Sequence, residues 1–196
     1  MVRTNIQEAH ACCYWLTGLP APGKSTLSHL IRKRLQDLGY LAISLDGGHL
    51  RRGINSDLGY SSEDRSENVR RIAEIAKLIV DAGAMVLVSA ISLYQGDRAS
   101  ARAKFAPGYF FEVFVDADIE TCMRRDPKGL YARAKSGLLA DFTGCGAPYE
   151  KPEVPELTLD TTLESADSLT QRVIDHFLSK VASPHEGSDG SALHDH

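Results

Sequence analysis

Apolar residues along this chain fall into short continuous runs, separated by longer stretches where they recur every three or four positions. Residues 12–18 form one such run and enter a glycine-containing loop, which predicts a buried strand. Residues 25–38 then place Leu27, Leu30, Ile31, Leu35 and Leu38 at helical spacing and stop at Gly39, a C-terminal helix signal. A second short strand is predicted at 41–45, ending in Asp46-Gly47-Gly48. Ser61 or Ser62 can cap a long helix that runs to about residue 82, with Ile72, Ile75, Ala76 and Ile79 as its stripe and Gly83 as its stop. Residues 85–91 are apolar and β-branched, as in a central strand; 110–115 predict another strand ending at Asp116, 157–159 a short last one, and 163–178 a closing helix. Strands alternating with helices predict an α/β architecture, a parallel β-sheet sandwiched between helices.

The pattern fails over residues 127–155, where prolines, glycines, aromatics and charges show little periodicity. A long irregular segment inside a compact unit predicts a mobile lid. Residues 1–11 read as a flexible N-terminus, 12–182 as a single domain, and 183–196, rich in Ser, Gly, His and Asp, as a disordered tail. The tail histidines His185, His194 and His196 read as solvated rather than as metal ligands.

Composition changes the picture little. A chain of 196 residues with 43% hydrophobic and 24% charged residues can bury a core without disulfides or structural metals. Its net charge of −4 argues against a protein that binds duplex nucleic acid. Cys12, Cys13, Cys122 and Cys145 form no C-x-x-C pair and no metal-ligand spacing, so they read as core residues. No apolar run approaches the ~18 residues of a membrane span, and no signal-peptide pattern opens the chain, so a soluble, cytoplasmic protein is expected.

The chemistry sits where the first strand meets the first helix. Gly18-Leu19-Pro20-Ala21-Pro22-Gly23-Lys24-Ser25 satisfies G-x-x-x-x-G-K-[ST], with Thr26 completing the loop. Main-chain N–H groups of such a turn wrap the phosphates of a nucleoside triphosphate, aided by the helix N-terminus. Lys24 is the candidate catalytic cation on the β- and γ-phosphates, and the Ser25 hydroxyl the candidate Mg²⁺ ligand. Pro20 and Pro22 each remove a backbone donor from that turn. Asp46, at the end of the second strand, is the candidate acid beside the acceptor, with a turn-forming Asx role as its alternative. The motif predicts a P-loop kinase that uses ATP and Mg²⁺.

Further segments sharpen the acceptor. The chain resembles the adenylyl-sulfate (APS) kinases in Trp15-Leu16-Thr17-Gly18-Leu19, Leu45-Asp46-Gly47, Asp57-Leu58-Gly59-Tyr60 and Asp64-Arg65-Ser66-Glu67-Asn68-Val69-Arg70-Arg71. The likeness continues through Val88-Ser89-Ala90-Ile91-Ser92, Glu112-Val113-Phe114-Val115-Asp116 and Arg125-Asp126-Pro127-Lys128-Gly129-Leu130-Tyr131. Phe142-Thr143-Gly144, Pro148-Tyr149-Glu150 and Pro155-Glu156-Leu157 complete it, in collinear order over about residues 14–180. The resemblance implies transfer of the γ-phosphoryl group of MgATP to the 3′-hydroxyl of adenosine 5′-phosphosulfate, giving PAPS. It implies Arg51, Arg65 and Asn68 as ligands of the phosphosulfate and ribose, with Tyr60 and Phe142 sandwiching the adenine. Ile91, Ser92 and Leu130 are further implied contacts, and Lys128 belongs to a lid that closes over both nucleotides. A homodimer working beside an ATP sulfurylase is also implied. Arginine forks suit a dianionic acceptor, and Arg51, Arg52, Arg65, Arg70 and Arg71 could supply them; for Arg70 and Arg71 a solvated helix face is the alternative.

Four positions depart from the family pattern. Asp46-Gly47-Gly48-His49 stands where the family has Asp-Gly-Asp-Asn, and Pro20-Ala21-Pro22-Gly23 where its loop reads Ser-Gly-Ser/Ala-Gly. Leu93-Tyr94-Gln95 replaces Pro-Tyr/Phe-Arg, and Gly146 replaces an aspartate. Three readings follow: a slower or differently tuned APS kinase; a kinase of a related nucleotide-linked acceptor; or a catalytically weak paralogue that binds nucleotides and regulates a partner.

Overall fold

A computed structural model describes residues 11–137, 143 and 148–182. Five strands, β1 (Cys13–Thr17), β2 (Ala42–Asp46), β3 (Met85–Ser89), β4 (Phe110–Asp116) and β5 (Leu157–Asp160), form one parallel sheet in the order β2-β3-β1-β4-β5. Each strand falls within two residues of its predicted limits. β1 lies at the centre, with Trp15 in register with Val88 on one side and Glu112 on the other.

Alternation along β1 decides which helices cover which face. Tyr14 and Leu16 point toward α1 (Lys24–Asp37) and α7 (Ala166–Ala182), meeting Leu27, Ile31, Leu35, Leu169, Val173 and Phe177. Cys13 and Trp15 point the other way, onto Val69, Ile72, Ala73 and Ala76 of α3 (Ser62–Asp81) and onto Ala101 of α4 (Gln95–Arg102). Leu27, Ile31 and Leu35 are almost wholly excluded from solvent, so each contributes on the order of 2 kcal/mol. Leu38, placed in that stripe by spacing alone, is 43% exposed because the helix has already ended at Asp37. Cys12, Cys13 and Cys122 are buried and unpaired, as core residues are.

Helix limits follow from local chemistry. Ser61 caps α3 by accepting a hydrogen bond from Asp64 N at 3.1 Å, and Glu63 and Asp64 lie in the first turn, where the helix dipole favours acids. Three further helices were not expected from periodicity. These are α4, α5 (Ile119–Arg125) and α6 (Leu130–Lys135), the last inside the segment read as irregular; a four-residue turn, α2 (Gly47–Leu50), follows β2. Asp126 explains α6: its carboxylate accepts from Leu130 N at 2.8 Å and from Ala132 N at 3.1 Å, a side-chain cap in a chain segment too short to show a stripe. Among the described residues no helix is long and apolar enough to cross a membrane. The predicted tail histidines, Cys145 and Gly146 lie outside the described residues.

Candidate active site at the carboxyl edge of the sheet

β1 ends at Thr17 and the chain turns sharply into α1. Gly18 adopts φ +148° with its backbone pressed on β4, so that a Cβ there would lie 2.3 Å from Val115 O. Gly23 adopts φ +109° and opens α1 without a side-chain cap, and no acid occupies the first turn. The free N–H groups of that turn are therefore left to an anion. The prolines cost two donors, yet their carbonyls fix the loop from behind. Pro20 O accepts from the buried Tyr131 hydroxyl at 3.1 Å, and Pro22 O accepts from Thr161 Oγ1 at 2.8 Å and Arg125 Nη1 at 3.3 Å. Between them Ala21 holds φ 64°, unusual for a residue with a side chain.

Lys24 Nζ folds back over this turn and donates to Gly18 O at 2.8 Å and Leu19 O at 2.6 Å. Burial draws its pKa down to about 7, with Lys128 acting the same way and Cys122 and Asp46 opposing. The next residue, Ser25, donates to Asp46 Oδ2 at 2.5 Å, while Asp46 Oδ1 accepts from His49 N at 2.9 Å and so caps the turn after β2. Burial raises the Asp46 pKa, but the bonds from Ser25 and His49 N, with the Lys128 charge, outweigh it and hold the carboxyl below its ordinary value. The two expected roles of Asp46, acid beside the loop and Asx-type cap, are thus compatible.

One cleft of about 470 Å³ runs from this loop to the far side of β3. Its walls bring together Pro20 to Thr26, Asp46, Arg51, Tyr60, Arg65, Asn68, Ile91, Ser92, Lys128 and Leu130, residues drawn from the ends of three strands and from the start of α3 and α6. Gly18 and Leu19 do not line it: their carbonyls hold Lys24, and the Leu19 side chain packs behind the loop near Cys122 and Tyr131. Arg51 and Arg65 flank Tyr60, their guanidinium carbons 4.7 and 5.6 Å from its ring centroid. Arg65 also donates to Tyr60 O at 2.8 Å and to the buried Thr143 Oγ1 at 3.1 Å. Asn68 accepts from the fully buried Asn55 at 3.0 Å, which turns its amide N–H₂ toward the cleft. Ser92 lines the cleft with its hydroxyl accepting from Trp15 Nε1 at 3.0 Å and its φ at 48°.

The remaining arginines are elsewhere. Arg70 pairs with Glu67 at 2.7 Å, Arg71 with Asp57 at 2.8 Å, and Arg52 lies beside the His49 ring at 3.3 Å, all away from the cleft. Helical geometry is the reason: positions 65, 68, 69 and 72 of α3 face inward, and 67, 70 and 74 face solvent. Phe142 lies outside the described residues. Sequence reasoning passed over Asp97, which lines the cleft, and Arg98, which is 2% exposed. Arg98 reaches Glu112 Oε1 at 2.6 Å, Ser92 O at 2.7 Å and Glu150 O at 2.8 Å, tying α4 to β4 and to the segment carrying Tyr149. A helix of eight residues whose buried face is an arginine and an alanine gives no apolar signal.

Among the described residues no cluster of three or more His, Cys, Asp or Glu side chains forms a metal cage. The oxygen pair Ser25 Oγ and Asp46 Oδ2 nonetheless fits Mg²⁺, which takes one or two protein oxygens and completes its shell with phosphate and water.

A parallel sheet with β1 between β3 and β4, a glycine-lysine turn at its carboxyl edge and an arginine-lined cleft beyond it define a P-loop kinase fold. The adenylylsulphate kinase family model matches residues 10–160, and the chain belongs to that family. It is 53% identical over 147 residues to the adenylyl-sulfate kinase of Geotalea uraniireducens (strain Rf4), covering 75% of this chain and 71% of that one. It is 47% identical over 173 residues to the bifunctional enzyme NodQ of Azospirillum brasilense, covering 88% of this chain but only 28% of NodQ. Among solved structures, the Mycobacterium tuberculosis APS kinase CysC in complex with AMPPNP and APS superposes with a TM-score of 0.83 at 44% identity, covering 87% of this chain and 99% of that one.

Proposed function

We propose that this chain transfers the γ-phosphoryl group of ATP to the 3′-hydroxyl of adenosine 5′-phosphosulfate, releasing ADP and PAPS. The carrying observation is one continuous cleft that holds the loop's main-chain donors and Lys24 together with Arg51, Arg65 and Asn68, the two arginines beside Tyr60. Two anionic nucleotides lying head to head in that cleft would meet between Lys24, Asp46 and Lys128. A relative of 44% identity bound to AMPPNP and APS supports the reading.

In this reading the loop amides and Lys24 hold the triphosphate, and the two arginines fix the acceptor's phosphosulfate. Ser25 and Asp46 would hold Mg²⁺, which would supply charge neutralisation to the transferring group. Asn68 presents its amide to the acceptor's sugar, and the ionised Asp46 carboxylate orients the 3′-hydroxyl. As part of the same proposal, the chain acts as a homodimer in the cytoplasm beside an ATP sulfurylase; the bifunctional, much longer relative supports the coupling. A coupled assay of ADP release tests the acceptor. Turnover with adenosine 5′-phosphosulfate and none with 3′-blocked acceptor is expected; turnover only with another nucleotide would overturn the assignment.

Gly48 bears on rate. A Cβ there would start 3.2 Å from Asp46 Oδ1 and 3.3 Å from Lys128 Nζ, the far ends of two side chains that can give. Gly48→Asp therefore fits at the start of α2, where an acid is favourable. The new carboxyl, between Asp46 and Lys128, places a second acid beside the reacting groups. We expect kcat to rise about tenfold. An unchanged or lower kcat in a folded variant would show that Asp46 alone meets the need.

A further inference from the structure

The cleft carries Arg51 and Arg65 for anions, yet its lining also contains carboxylates, which repel a phosphate. Besides Asp46, two acids line the cleft, Asp97 and Asp126. Asp126 is occupied in capping α6. Asp97, in the first turn of α4, accepts from Ser66 Oγ through Oδ2 at 2.9 Å, and its Oδ1 accepts nothing among the described residues. The same cleft is lined by Val69 and Leu93, both buried, and by the ring of Tyr60. An apolar slot with one ring wall and one carboxylate oxygen suits a purine and cannot suit its phosphate.

We propose that Asp97 is a specificity-determining residue that accepts a hydrogen bond from the 6-amino group of the acceptor's adenine, so that 6-amino purines are selected over 6-oxo purines. The inference rests on the acceptor assignment above and extends it to the base. The chemistry is asymmetric. A 6-amino group donates to the free carboxylate oxygen, whereas a 6-oxo group sets a carbonyl dipole against it and leaves a partly desolvated charge without a partner. Sites that hydrogen-bond a substrate N–H reject analogues lacking it far more strongly than apolar sites reject a missing methylene. Burial and the nearby Glu150 both raise the Asp97 pKa, while the Ser66 hydrogen bond and Arg98 lower it; the net shift is upward. That is the environment in which a ligand donor gains most.

The test compares adenosine and inosine 5′-phosphosulfate as acceptors in the wild-type chain and in Asp97→Asn. Wild type should favour the adenine acceptor by about 10²-fold in kcat/KM. Asp97→Asn, whose amide can donate to a 6-oxo group, should reduce that ratio to within about fivefold, the change lying in KM. Equal use of both acceptors by wild type, or an unchanged ratio in the variant, would overturn the inference. Ser66→Ala keeps the carboxylate and removes only the bond that orients it, so a several-fold smaller preference is expected there even if Asp97→Asn fails to fold. Calorimetry of AMP against IMP, with AMPPNP saturating the phosphate loop, reads the base preference without turnover. Loss of APS turnover with AMP still preferred would fail the acceptor assignment alone; equal or absent binding of AMP and IMP would fail Asp97.

Discussion

Replacing Lys24 with alanine is expected to lower kcat/KM for ATP by at least about 10³-fold and to weaken nucleotide binding itself. Lys24 carries its ammonium inside the phosphate turn, where it bridges the carbonyls of Gly18 and Leu19. Held by those carbonyls, the side chain both closes the turn and supplies its charge. Arginine should not restore activity, because the turn has no room for a planar fork. The variant should still fold: α1 is anchored by Leu27, Ile31 and Leu35, and thermal melting checks this.

The same residue predicts a pH dependence whose sign is fixed. Burial brings the Lys24 pKa to about 7, so the free protein loses this proton as pH rises through neutrality. The triphosphate requires the ammonium form, so binding draws a proton back. Linkage then gives a nucleotide affinity about fivefold weaker at pH 8 than at pH 7, with net proton uptake at pH 8. Calorimetry in two buffers of different ionisation enthalpy measures that uptake. Its absence in the wild type, or its persistence in Lys24→Ala, would remove Lys24 from this role.

Sequence alone made the frame of this molecule legible because its frame is written in apolar periodicity. β1, β3, β4 and the three long helices α1, α3 and α7 carry buried stripes, and the glycine-lysine turn is a motif with one geometry. What stayed hidden has other causes. α4 packs on Arg98 and Ala101, so its buried face is an ion pair with Glu112 instead of an apolar stripe. α6 exists through the Asp126 cap and the burial of Tyr131, both long-range consequences of where the loop sits. Arg70 and Arg71 share a motif with Arg65, but one helical turn sends them to Glu67 and Asp57 on the outer face. Helical phase, applied residue by residue, would have separated them. Asp97 could not have been singled out, since its meaning depends on a cleft it shares with Val69 of α3 and Leu93 of the loop after β3.

Asp46→Asn is expected to cost about 10²- to 10³-fold in kcat with little loss of stability. Asparagine is as good a helix cap as aspartate, so the bond from His49 N and the turn after β2 survive. Only the charge is removed, and with it the oxygen that pairs with Ser25 for Mg²⁺. The Mg²⁺ concentration needed for half-maximal rate should therefore rise, about tenfold, which an uncharged but correctly placed cap would not produce by itself. The held-down pKa separates two roles for this carboxylate. Hydrogen bonds from Ser25 and His49 N, with Lys128 nearby, keep it ionised throughout the working range, which makes it a poor proton acceptor and a good electrostatic anchor. The acidic limb of the pH–rate profile should accordingly be the same in Asp46→Asn as in the wild type. A limb that disappears with the substitution would mark Asp46 as the base that takes the 3′-hydroxyl proton, and a variant within threefold of wild type, about the noise of such comparisons, would show that the cleft works without it.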